Sequence, residues 1–208
     1  MSNKEINDLI ISWLTISFAF AWISTNFFGP GGTSELIGNI IVMLIAVGTG
    51  FILHELAHKY VAIHYGAHAE FRAWRHGLIL AIAMALFAGF VFAAPGAVYV
   101  SGRSITVKQN GHISLAGPLT NLITVMGFGL LLAILNPTEF ITTILVTAMY
   151  VNFFLAAFNL IPIFPLDGSK VFMWNKTAWV ISMALAASGV LFFQYYLAFF
   201  STIAFIIN

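Results

Sequence analysis

The residues best placed to do chemistry are His54-Glu55-Leu56-Ala57-His58, an H-E-x-x-H pattern inside a long apolar run. On a helix, residues four apart share a face and are separated by about 6 Å of rise. Two imidazoles so placed can grip one Zn²⁺. Glu55, one residue on, lies beside that face, where its carboxylate can take a proton from water and pass it to a leaving amine. Zinc lowers the pKa of a coordinated water to about 7, which makes hydroxide available near neutral pH. Three ionisable side chains in five residues are costly in an apolar span, and such groups are functional by default. The competing reading is a chance match near a helix end, with the imidazoles reaching to the interface.

A catalytic zinc held by two His needs a third protein ligand and an open position. The chain has no Cys, so thiolate ligands, disulfides and a cysteine nucleophile are excluded together. Among the acids, Glu5, Asp8, Glu35 and Glu139 fall at the N-terminus or in outer turns, and Glu70 lies in a basic loop. Asp167 follows Asn159-Leu160-Ile161-Pro162-Ile163-Phe164-Pro165-Leu166, where two prolines interrupt the helix, and it precedes Gly168. It is the candidate third ligand, with an N-cap role for a short following helix as the alternative. Asn159 and Asn121 are candidate substrate-binding residues, or else amides that cross-link neighbouring helices. His64 and His68 suit the interface, and His76 and His112 flank glycines at segment boundaries.

His54 to His58, followed by Asn159, Pro162, Leu166, Asp167 and Gly168, resembles the paired signature of the site-2 protease family, H-E-x-x-H with N-x-x-P-x-x-x-L-D-G. Ala116-Gly117-Pro118-Leu119-Thr120-Asn121 is similar to the stretch that opens the family's next core helix. The likeness runs from about Leu53 to Lys170; Ser169 departs from the Gly that many members carry there. It implies a zinc-ligand role for Asp167, one Zn²⁺ per chain, and intramembrane cleavage of the transmembrane segments of membrane-protein substrates in regulated proteolysis.

The elements that must position these residues are membrane helices. Of the 208 residues, 61% are hydrophobic and 7% charged, against roughly 25% charged in an average soluble domain. Net charge is +1 and no basic run carries interleaved aromatics, so no nucleic-acid partner is expected. The partner is the lipid bilayer. Spanning about 30 Å of hydrocarbon takes roughly 20 apolar residues as helix. Candidate runs cover 9–28, 37–65, 78–94, 113–135, 140–160 and 178–207, the last as one tilted helix or a short hairpin. The segment after Met1 lacks a clear cleavage site, so the first span is expected to be retained. With no repeat and no polar accessory stretch, residues 1–208 read as a single membrane-embedded domain. The expected fold is an all-α polytopic membrane protein of five to six transmembrane helices, with a re-entrant segment and a small β-hairpin over 97–107. That irregular backbone must lie at the interface or line a cavity. It can also accept an extended substrate by strand addition.

Charge sets the orientation. The basic residues are Lys4, Lys59, Arg72, Arg75, Arg103, Lys108, Lys170 and Lys176, while the turns near Pro30 and Pro137 carry only Glu35 and Glu139. If 78–94 dips in and returns, every basic residue falls on one face, which by the positive-inside rule is the cytosol. The chain is then a multi-pass protein, expected in the cell membrane, with its N-terminus and zinc site towards the cytosol. About 25 Å along a helix from Ile37, His54 lies in the cytosolic third of the core. A cation transporter or an inactive scaffold could use the same His and Asp residues, but neither needs Glu55. A zinc protease of another family, acting at the membrane face, needs an exposed catalytic domain that the chain has no polar stretch to build.

Overall fold

The computed structural model describes residues 1–91, 95–102 and 104–207, with side chains described as far as Tyr195. Its helices are α1 (Asn3–Ile23), α2 (Gly32–Val47), α3 (Leu53–His64), α4 (Arg75–Ala88), α5 (Val107–Leu135), α6 (Glu139–Asn159), α7 (Asp167–Trp174) and α8 (Lys176–Ile207). Two strands, β1 (His68–Ala73) and β2 (Gly96–Ser101), form one antiparallel sheet. A π-helical turn, Gly48–Ile52, joins α2 to α3 without a break, making one apolar helix of 33 residues from Gly32 to His64.

Five helical runs are long and apolar enough to cross a membrane: α1, the α2–α3 run, α5, α6 and α8 as far as Tyr195. The 178–207 run is thus one helix, not a hairpin. Short polar punctuation separates the others. Gly31, in the left-handed region at φ 78°, precedes α2, and Asn136, at φ 43°, ends α5 before Pro137. A capping box between Thr106 and Gln109 starts α5.

The run expected at 78–94 becomes α4, only 14 residues long and shorter than a membrane span; residues 92–94 lie outside those described. The chain leaves the sheet at Ala73 and rejoins it at Gly96, the residue paired with Ala73 across the ladder. The Trp74 amide donates to the Pro95 carbonyl at 2.8 Å. Both ends of the excursion therefore sit at one place, which is what a re-entrant segment requires.

The small sheet differs from the expected 97–107 hairpin in its partner. β2 lies where expected, but it pairs with 68–73 in the register Phe71↔Val98, and Thr106 and Val107 begin α5. His68-Ala69-Glu70-Phe71-Arg72-Ala73 has no β-branched residue, so its strand character comes from tertiary pairing. Arg103, inside the expected hairpin, lies outside the described residues.

The main buried apolar cluster gathers Ile16 and Phe20 of α1, Met43 and Val47 of α2, Ala81 and Ala85 of α4 and Val151 and Leu155 of α6, while α5 packs on α3, α6 and α7. Many large apolar side chains remain exposed along the spans, among them Leu130, Ile134, Leu185 and Tyr195, and on α4, among them Ile79 and Phe87. That is the surface expected of helices whose solvent is lipid.

Candidate metal centre

His54, Glu55 and His58 all come from the first two turns of α3 and all are buried, although they are among the most polar residues in their span. Such a cluster is stable only if its polar atoms are partnered or reserved for a ligand. His54 Nδ1 lies 2.6 Å from Asn121 Oδ1, and His58 Nδ1 lies 2.6 Å from the Ile113 carbonyl oxygen. Both partners are acceptors. Asn121 uses its Nδ2 protons on the Gly50 carbonyl at 2.8 Å and Asn152 Oδ1 at 2.9 Å, which fixes its oxygen towards His54. Each neutral imidazole therefore carries its proton on Nδ1 and presents a lone pair at Nε2.

Those two lone pairs face each other. His54 Nε2 and His58 Nε2 are 2.9 Å apart, and Asp167 Oδ2 lies 3.4 Å from the first and 2.9 Å from the second. Among the described residues, His54, His58 and Asp167 form the group able to hold a metal ion. Three acceptor atoms aimed at one point inside protein repel one another unless a cation stands among them, and a His₂-carboxylate set with room for a further ligand suits zinc. Zn²⁺ is the metal that this donor set and the chain's relatives indicate.

Asp167 reaches the imidazoles because α6 ends at Asn159 and the chain runs through Pro162 and Pro165 to a new helix start. The N-cap of α7 is Leu166, not Asp167, whose side chain is left free to face α3. Gly168 permits this path, since a Cβ there would lie 2.0 Å from the Leu160 carbonyl oxygen. Lys170 Nζ stands 3.4 Å from the other oxygen of Asp167, Oδ1.

Glu55 lines the same cavity, and its Oε2 is buried with no hydrogen-bond partner among the described residues. An orphaned carboxylate oxygen is expensive, and a substrate water is the natural partner for it. Asn159 also lines the cavity, donating from Nδ2 to the Leu155 carbonyl at 2.9 Å. Asn121 is not among the residues lining that cavity: it is fully buried behind His54, with its amide bonded to His54, Gly50 and Asn152. Asn152, Gly117 and the Ile113 carbonyl were not among the expected site residues. An amide in an apolar span was the available signal for Asn152, and Gly117 stands in the 116–121 stretch that carries the family resemblance; the Ile113 carbonyl is a backbone contact with no signature in residue type. His64 and His68 join no metal group among the described residues, whereas His112 contacts Tyr65 and stacks edge-on against Trp174.

No family model and no solved structure matches the chain. Curated relatives do. It is 47% identical over 86% of its length to "Putative zinc metalloprotease MJ0611" of Methanocaldococcus jannaschii, of which the alignment covers 89%. It is 30% identical over 71% of its length to "Zinc metalloprotease MJ0392" of the same organism, covering 39% of that protein. Against "Putative zinc metalloprotease Rip2" of Mycolicibacterium smegmatis the identity is 28% over 77% of this chain and 66% of the relative. A relative so alike along nearly all of both chains, joined to the H-E-x-x-H and L-D-G residues meeting in one buried group, places this enzyme among the zinc metalloproteases: the chain belongs to the site-2 protease family.

Proposed function

We propose that the chain is an intramembrane endopeptidase that cleaves the transmembrane segments of membrane-protein substrates, with His54, His58 and Asp167 as zinc ligands and Glu55 as general base. The observation that carries this reading is the convergence of two Nε2 lone pairs and one carboxylate oxygen in helices long and apolar enough to span a bilayer. Zinc bound there supplies Lewis acidity towards the scissile carbonyl and the attacking water.

The protein side chains do the rest. Asn121 and the Ile113 carbonyl lock both imidazoles in the metal-binding tautomer. Glu55 takes a proton from the attacking water on its unpartnered oxygen and returns it to the leaving nitrogen. Asn159, at the cavity wall, holds the substrate backbone.

A helical peptide bond is shielded by its own hydrogen bonds, so the substrate must be extended before attack. β2 suits that task. One edge pairs with β1, the other pairs with no strand among the described residues, and Gly96, Val98 and Val100 line the cavity beside the zinc ligands. Strand addition along that edge would deliver an extended segment to Glu55. The clustering of basic residues at one end of the helices supports a cytosolic N-terminus and zinc site, and regulated proteolysis of membrane proteins follows from the family resemblance.

The test is zinc content and cleavage of a model transmembrane substrate in detergent, for the intact chain, Glu55→Gln and Asp167→Asn. Stoichiometric zinc in the intact chain and Glu55→Gln, cleavage lost in both variants and weakened metal retention in Asp167→Asn are expected. Zinc without cleavage of any substrate would turn the reading towards a transporter or scaffold, and absence of zinc would remove it.

A further inference from the structure

We propose that the π-helical turn Gly48–Ile52 is the register device that aims the H-E-x-x-H face at Asp167, and that Trp13 of α1 is a positioning residue acting through it. The inference rests on the zinc-protease reading of the site. The α2–α3 helix runs unbroken for 33 residues, and its π turn ends at Ile52, two residues before His54. A π turn holds one residue more than an α turn, so all that follows is rotated by about 100° relative to a plain helix. In a plain α-helix anchored by α2, His54 and His58 would face about 100° away from α5 and α7.

A widened turn has poorer packing and hydrogen bonding of its own, so something must hold it. Side chains supply the donors. The Trp13 indole Nε1 donates to the Leu44 carbonyl at 2.9 Å, and Thr49 Oγ1 shares its one proton between the Ile45 and Ala46 carbonyls, each at 3.0 Å. Inside the turn, the Gly50 carbonyl accepts from Asn121 Nδ2 at 2.8 Å. That same amide accepts from His54 Nδ1 at 2.6 Å, so the widened backbone and the tautomer of a zinc ligand share one side chain. Two glycines and a β-branched residue, Gly48-Thr49-Gly50, are a poor choice for a straight helix interior, where each Gly costs about 1 kcal/mol relative to Ala. They are a reasonable choice for a turn that must widen.

Trp13→Phe keeps most of the ring and removes the N–H; deletion of Thr49 removes the extra residue. Both are compared with the intact chain by chelator competition for zinc and by the visible spectrum of the cobalt-loaded protein. Trp13→Phe is expected to weaken zinc retention about tenfold, the lower end for groups that orient metal ligands, to change the cobalt spectrum, and to lower kcat with KM little altered. The Thr49 deletion is expected to lose stoichiometric metal. A purely structural tryptophan would lower the Tm and leave both metal readouts of the folded protein unchanged, and that result would overturn the inference whatever the deletion does. Absence of metal from the intact chain would sink the zinc reading and this one together, whereas unaltered metal binding in Trp13→Phe removes this one alone.

Discussion

A Cβ placed on Gly117 would lie 2.5 Å from His54 Nε2, and it would lie equally close to His58 Nε2. The backbone of α5 thus forms one wall of the space between the two imidazoles, and only hydrogen fits there. Gly117→Ala should act on the metal and not on the helix. Ala is the better helix former by about 1 kcal/mol, so the fold gains locally while the imidazoles are pushed apart. The expected outcome is loss of stoichiometric zinc with a Tm no lower than that of the metal-stripped intact chain. Full zinc occupancy in Gly117→Ala would show that α5 stands farther from the ligands.

Much of this site is legible in the residues, and what is not has a physical cause. The spacing of His54, Glu55 and His58 carries its own geometry because a helix converts four residues into one face, and the prolines before Asp167 announce that the chain leaves α6. The π turn is illegible: Gly48-Thr49-Gly50 signals weak helix propensity, but nothing local says the turn will widen, since two of its three side-chain donors, Trp13 and Asn121, are distant in sequence. The β1 strand is hidden for a similar reason, being made by pairing with β2 rather than by propensity. Glu5 reads as a terminal acid because its partner is 54 residues away.

Pairing of Ala73 with Gly96 fixes the topology on either side of α4. A reporter inserted after Gly102 should therefore report the same side as one at the N-terminus, and the opposite side from one inserted at Pro137. Cysteine labelling suits this measurement, because the chain has no cysteine of its own. Accessibility of position 102 from the side opposite the N-terminus would mean that 78–94 crosses, and both the re-entrant segment and the gathering of basic residues on one face would be wrong.

The start of α1 is tied to α3, the helix of the H-E-x-x-H motif, by a buried ion pair. Lys59 Nζ lies 2.6 Å from both Glu5 carboxylate oxygens, and the Phe71 amide donates to Glu5 Oε1 at 3.2 Å. Glu5 is fully buried and Lys59, beside His58, nearly so. Two charges removed from water gain little net stability over an apolar pair, but deleting one strands the other. Glu5→Gln and Lys59→Met are each expected to destabilise the protein by about 3–5 kcal/mol, and the double variant by much less than their sum. Thermal unfolding of the three variants in one detergent measures the coupling. Additive losses would mean that the two side chains act independently, and the pair would then have no part in holding α1 against the helix that carries His54 and His58.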